Sequence, residues 1–141
     1  MDDLTMARQC AQTMLANDHS SRAMGIDIEI IEPGKAVARM TVRDDMLNGF
    51  AVLHGGLCFA LADTAFAFAC NSYNQQTFAA AANIEFLRPV HAGDELAATA
   101  SEDYRGRRSG YYTVEVRNQD DELVALFRGR SASRDATVIN A

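Results

Sequence analysis

The sequence predicts an α+β fold in which one antiparallel sheet of about five strands curls around a single long helix. Two observations predict it. Residues 57–71 are apolar apart from Asp63, Thr64 and Asn71, with Phe59, Leu61, Phe66 and Phe68 interspersed among alanine and cysteine. A helix of that composition is greasy on almost every face and must be buried on most sides. Around it lie short runs of alternating apolar residues separated by turn residues, the mark of half-buried strands. Short turns make consecutive strands antiparallel neighbours. A sheet needs its apolar face covered, and the 57–71 helix is the one segment able to cover it.

In chain order, Leu4, Ala7, Ala11, Met14 and Leu15 fall near helical spacing, so a short amphipathic helix is expected over residues 3–17, capped by Asp2 or Asp3. The polar stretch 17–21 is expected to break it. Residues 26–32 alternate as a strand, Pro33-Gly34 turns the chain, and 36–42 return. Residues 43–53 show no period, contain Asn48-Gly49, and are expected to form a loop. Gly55-Gly56 opens the central helix, roughly 22 Å long at 1.5 Å per residue. Only strands follow: 78–87, stopped by Pro89; 95–103; then, after a basic turn at 105–110, 111–118; and, after Asp120-Asp121, the closing strand 122–133. No repeats or linkers interrupt the pattern, so a single domain over 1–141 is expected, with its core in 25–134.

The 141 residues are 48% apolar, which suits one compact domain and argues against disorder. The net charge of −6 disfavours a nucleic-acid partner, which needs a basic footprint. No apolar stretch reaches the ~18 residues of a membrane span, and the acids after Met1 argue against a secretory signal. Cys10, Cys58 and Cys70 lack metal-ligand spacing, so buried, reduced thiols and a cytoplasmic protein without metal are expected. Charge is nonetheless uneven. Eight of the 13 basic residues lie after Leu87, and a local arginine cluster can hold a phosphorylated ligand on an acidic protein.

The chemistry centres on Asp63. Its helical neighbours Phe59, Ala60, Phe66 and Ala67 cannot pair with it, and no Lys or Arg occurs between Asp45 and Thr77. A lone carboxylate on a buried helix costs free energy unless it is compensated. Either it bonds to backbone, or it is a functional acid with a raised pKa, and the second reading fits the isolation better. Upstream, Gly55-Gly56 at a helix start leaves backbone N–H groups uncovered, and with the helix dipole these suit a developing oxyanion. Taken singly, the Gly-Gly pair, His54 and Asn48 also fit an ordinary helix start or turn. Gly55 and Asp63 lie eight residues apart, about 12 Å along one helix. One carbonyl cannot touch both, so a two-fold dimer with composite sites is expected.

Together, Asn48-Gly49, His54-Gly55-Gly56, the 61–65 segment Leu-Ala-Asp-Thr-Ala and the 83–89 segment Asn-Ile-Glu-Phe-Leu-Arg-Pro resemble the hotdog-fold thioesterases, and most nearly their PaaI type, from phenylacetic acid degradation. The resemblance runs from about Gly25 to Arg134. It implies a hotdog fold, an antiparallel sheet of five to six strands wrapped around a long central helix. It implies an acyl-CoA substrate with an aryl or hydroxyphenylacetyl group, no separate cofactor, and a homotetramer of two dimers. It makes Asp63 the catalytic carboxylate, either a general base on water or a nucleophile that forms a mixed anhydride, and Gly55 the oxyanion amide, supported by Asn48 and His54. One departure stands out: Ala79–Ala82 offer none of the hydroxyls that some relatives carry on this strand, which leaves Thr64 or Thr77 to position water.

The resemblance also makes Gly56 and Thr64 candidate substrate contacts. Arg88, Arg105, Arg107 and Arg108, with Arg128 and Arg130, are candidates for the coenzyme A phosphates, while Phe66, Phe68 and Tyr73 belong either to the acyl pocket or to the core. Competing expectations are a hotdog dehydratase or hydratase, and a non-catalytic acyl-CoA binder.

Overall fold

Asp2 sets the start of the first helix, α1 (Asp3–Asn17), by accepting the Thr5 amide at 2.7 Å. The structure, a computed structural model, describes residues 1–140. The expected break at 17–21 is narrower than its polarity suggests. Asp18 ends α1 and at once caps a second helix, α2 (His19–Ala23), by accepting the Ser21 amide at 3.0 Å. Polar residues that weaken a helix interior are the ones that start a new helix well.

Strands β1 (Asp27–Glu32) and β2 (Lys35–Thr41) form a hairpin around Pro33-Gly34, where Gly34 has φ +84°, a backbone that glycine adopts without cost. The 43–53 segment is a loop, as expected, but an organised one. It contains a single 3-10 turn at Asp44–Met46 and is closed by a bridge between Leu47 and Leu53. The central helix α3 (Gly55–Cys70) takes Gly55 and Gly56 as its first two residues. Four strands follow: β3 (Thr77–Phe86), β4 (Glu95–Arg105), β5 (Ser109–Arg117) and β6 (Leu123–Ser133). The basic turn is tighter than its composition suggests, because β4 runs on to Arg105 and β5 resumes at Ser109.

The six strands make one antiparallel sheet in the order β1-β2-β4-β5-β6-β3. It wraps α3, which packs on strands across its whole width. This is the expected hotdog arrangement, at the upper end of the strand count. Leu61, Phe66, Phe68 and Phe127 are at most 2% exposed, and burying each such side chain contributes about 1.5–3 kcal/mol. Gly129 on β6 makes the close approach possible, since a Cβ there would sit 2.9 Å from Phe66 Cζ. Truncating Phe66 to alanine costs about 3–5 kcal/mol. Ala7 of α1 joins the same core, and Asn74 accepts the Val138 and Ile139 amides, so ordered packing extends to both sides of 25–134. No helix among the described residues is long and apolar enough to cross a membrane.

β1 and β3 are the sheet edges. A bulge between Ala79 and Ala81 kinks β3 against β6. Its residues 78–82 are all exposed, and Phe78 and Phe86 each show 56% of their surface. From Thr77 to Ala82 the strand carries no charge. A long apolar edge without charge is a pairing surface.

Candidate active site

The start of α3 presents one free backbone donor. A helix leaves its first N–H groups without helical partners, and here His54 satisfies most of them. Its Nδ1 accepts the Gly56 amide at 2.9 Å, and its carbonyl accepts from Leu57 and Cys58. The His54 amide itself donates to the Met46 carbonyl at 3.0 Å. Among the described residues the Gly55 N–H has no acceptor. Of the two glycine amides, only Gly55 is therefore open to a ligand, while Gly56 serves the cap. A Cβ on Gly56 would press to 3.0 Å from His54 Nδ1, so glycine lets the ring sit close over the helix start. Because Nδ1 accepts, the neutral ring carries its proton on Nε2, and the His54 side chain lies exposed.

Asn48 holds the loop that precedes the helix. Its Oδ1 accepts the Phe50 amide at 2.9 Å and the Val52 amide at 3.4 Å, while its own N–H donates to the Val52 carbonyl at 2.8 Å. Among the described residues its Nδ2 has no acceptor. Ala51 sits at φ +59°, a left-handed conformation rare for alanine that the Asn48 clamp sustains. Asn48 and His54 thus stand at the two ends of one pinned loop.

Gly55 lines a largely apolar cleft of about 330 Å³ between this loop, the start of α3 and the 86–90 segment. The ring of Phe86 lies over Gly55, 3.2 Å from where a Cβ would be.

Asp63 is half-buried and has neither a hydrogen bond nor an ion pair among the described residues. Desolvation raises its pKa above the usual 3.8, as burial does for any unpaired carboxylate. It shares an incompletely buried stripe of α3 with Gly56, Ala60 and Ala67. Both Gly55 and Asp63 lie within the single helix α3, so the separation of about 12 Å stands.

A family model described as the thioesterase superfamily matches residues 50–125, more than half of the 141-residue chain, including His54, Gly55 and Asp63. The chain belongs to the thioesterase superfamily. Acyl-coenzyme A thioesterase PaaI of Escherichia coli (strain K12) is 48% identical over 132 residues, covering 94% of each chain. A putative esterase of Archaeoglobus fulgidus is 33% identical, over 88% of this chain and 80% of its own. The solved structure of the E. coli PaaI protein from the phenylacetic acid degradation operon matches with a TM-score of 0.94 at 47% identity, covering 96% of this chain and 99% of that one. The protein is a thioester hydrolase with a hotdog fold.

The remaining candidates of this thioesterase scatter. The Thr64 hydroxyl donates to the Ala60 carbonyl at 2.7 Å and faces Ser21 Oγ of α2 at 3.5 Å. It is engaged in helix packing. Thr77 is buried, and its hydroxyl is shared between the Gln75 carbonyl and Ser133. Arg88 lines the cleft beside Gly55 and pairs with Glu122 at 2.9 Å.

Arg105 lies beyond the opposite end of α3, its guanidinium 3.7 Å over the Tyr73 ring, and Arg108 meets Asp135 at 3.4 Å. Arg107, Arg128 and Arg130 are exposed without ion-pair partners among the described residues. Phe66 and Phe68 are core, and the Tyr73 hydroxyl donates to Glu102 at 2.8 Å. Sequence reasoning missed the cleft itself, since Phe86, Leu87 and Val90 approach the helix start only through the fold. All three cysteines are free and buried. Burial pushes the Cys58 thiol up to about 11, so at neutral pH it is no nucleophile.

Proposed function

We propose that this thioesterase hydrolyses acyl-CoA thioesters, with aryl or hydroxyphenylacetyl groups as the preferred acyl moiety, in the breakdown of phenylacetate. The observation that carries the chemistry is that α3 holds both an unsatisfied amide, at Gly55, and an unpaired, half-buried carboxylate, at Asp63. The substrate class rests on the similarity to E. coli acyl-coenzyme A thioesterase PaaI and on the phenylacetic acid degradation operon named with its structure.

In this reading the thioester carbonyl oxygen accepts the Gly55 N–H. Asp63 of the partner subunit takes a proton from water, and the water oxygen attacks the carbonyl carbon. The tetrahedral oxyanion is held by Gly55 and the dipole of α3. Collapse breaks the C–S bond, the thiolate leaves, and the proton passes from Asp63 to coenzyme A. His54 Nε2–H and Asn48 Nδ2 are donors at the mouth of the same loop and orient the thioester or the water.

The exposed β3 edge supports a dimer in which a second copy extends the sheet and supplies the carboxylate, and two such dimers form the tetramer. Arg88 beside the cleft, with Arg107, Arg128 and Arg130, offers cations for the coenzyme A phosphates.

The test is release of free thiol from a panel of aryl- and alkyl-CoA esters. Hydrolysis liberates coenzyme A, whereas a hydratase or dehydratase leaves the thioester intact and a passive binder turns nothing over. No thiol release from any ester would remove the proposal.

A further inference from the structure

Asn71 is a buried polar side chain turned toward the backbone of another element. It caps the end of α3 and is 6% exposed. Its Oδ1 accepts the Thr77 amide at 2.9 Å, and its Nδ2 donates to the Thr77 carbonyl at 2.9 Å. Nδ2 also donates to the Ala67 carbonyl at 2.9 Å, on the last turn of α3. The side chain thus holds both backbone groups of the first β3 residue, as a paired strand would, and ties them to the helix. Among the described residues no side chain of α3 itself bonds to β3, since Thr64 and Cys70 bond to carbonyls of their own helix. Asn71 is the polar link between the two elements.

In the composite-site reading α3 carries the carboxylate and β3 the edge on which a second copy pairs. The spacing of α3 from its own β3 then sets how far Asp63 reaches toward the other chain. Asn71 lies eight residues beyond Asp63, about 12 Å along the axis, and the Ala67 carbonyl it grips belongs to the same incompletely buried stripe as Asp63. The Gly55 end is about 24 Å away and has anchors of its own. There the Leu53 amide donates to the Val90 carbonyl at 2.7 Å, and the His54 amide to the Met46 carbonyl at 3.0 Å. We propose that Asn71 is a positioning residue: by locking the end of α3 to the start of β3 it sets where Asp63 stands for the partner subunit, and it leaves Gly55 of its own chain in place. The proposal rests on the composite-site reading above and adds the residue that sets its geometry.

Two variants break the link. Asn71→Ala removes it outright. Asn71→Ser keeps a short donor for a helix carbonyl, as Ser72 has for Ala69 at 2.6 Å, and is too short to hold both backbone groups of Thr77. Each variant is expected to remain a dimer in analytical ultracentrifugation, to keep its KM for an acyl-CoA ester, and to lose about 10²-fold in kcat, the cost of an ångström-scale misplacement. Normal kcat in folded Asn71→Ala overturns the proposal. So does full activity in Asn71→Ser, which makes Asn71 a helix cap and nothing more.

Mixed dimers, made from two differently tagged chains and purified on both tags, separate positioning from a general loss of structure. An Asn71→Ala chain paired with a Gly55→Pro chain forms one site from its own Gly55 and the Asp63 of a chain whose Asn71 is intact, so half the parent's specific activity is expected. Paired with an Asp63→Asn chain, it supplies the misplaced Asp63 to the one site that has a carboxylate, so that pair is expected to stay slow. Recovery with neither partner means that the lesion reaches both ends of α3, and recovery with Asp63→Asn means that it acts on Gly55; either result overturns the proposal. If Asn71→Ala melts below the assay temperature, the same pairs are made with Asn71→Ser. The Gly55→Pro with Asp63→Asn pair is the control. If it stays inactive, the composite-site reading falls and the proposal with it; if it recovers while the Asn71 pairs do not follow the expected pattern, only the role of Asn71 falls.

Discussion

At the scale of single residues, the proposed site depends on one charge and one amide. The Asp63 carboxyl is destabilised in its charged form by desolvation, so its pKa lies above 3.8. A base must be ionised to act, so kcat/KM climbs as pH rises through that raised value and falls away below it. The same shift sets the sign of the stability effect. The folded state holds the proton more tightly than the unfolded chain, so ionisation costs stability above this window and nothing below about 3.8, where both states are protonated. Asp63→Asn therefore cuts turnover by about 10²–10⁴, the usual share of a positioned base. In differential scanning calorimetry it melts no lower than the parent at neutral pH. A variant that melts lower yet turns over normally would make Asp63 a structural residue.

The Gly55 amide can be deleted just as cleanly. Gly55 is the first residue of α3, a position proline favours, and His54 already has φ −59° and ψ 129°, the extended conformation required before proline. Gly55→Pro removes the N–H and lowers kcat by about 10²–10³. Gly55→Ala, which meets the same Phe86 ring but keeps the donor, serves as its control in steady-state kinetics.

At the scale of elements, α3 and β3 divide the work. The helix was legible in the sequence because its apolar residues cover every face, and Asp63 stood out because nothing within a helical turn accounts for it. Most strands were legible from their alternation. Other features were not, for physical reasons. The start of α2 depends on Asp18 reversing its role from end to cap. That Gly55 and not Gly56 is the open amide depends on the rotamer of His54. Arg105 stacks on Tyr73 and Arg88 lines the cleft because of strand register, which basic composition alone does not reveal.

β3 reads as an ordinary strand in one dimension, and its place at the sheet edge leaves it the surface on which the proposed dimer would pair. Lysines at Ala79 and Ala81 place charges along that exposed edge, a device that keeps natural edges single. The double variant is expected to sediment as a monomer. Its turnover falls by about two orders of magnitude, the cost of misplacing catalytic groups, although Asp63, Gly55 and His54 are untouched. A fully active monomer in analytical ultracentrifugation would show that one chain suffices.

At the scale of the whole molecule, the proposed composite site makes catalysis a property of two chains. A straight helix cannot bring residues about 12 Å apart to one carbonyl. A two-fold axis that sets the Gly55 end of one α3 near the middle of the other can. The consequence is complementation between two dead proteins. Asp63→Asn homodimers lack both carboxylates, and Gly55→Pro homodimers lack both oxyanion donors. In a mixed dimer one site receives both lesions and the other receives neither. Co-expression with two affinity tags and random pairing makes about half of the dimers mixed, each with one intact site of two, so activity returns to about a quarter of the parent's. Doubly tagged dimers purified from that mixture are expected to carry half the parent's specific activity, counted as one native site per pair. If such dimers stay as inactive as their parents, the amide and the carboxylate do not meet across the axis, and the composite site is wrong even if Asp63 and Gly55 each prove essential.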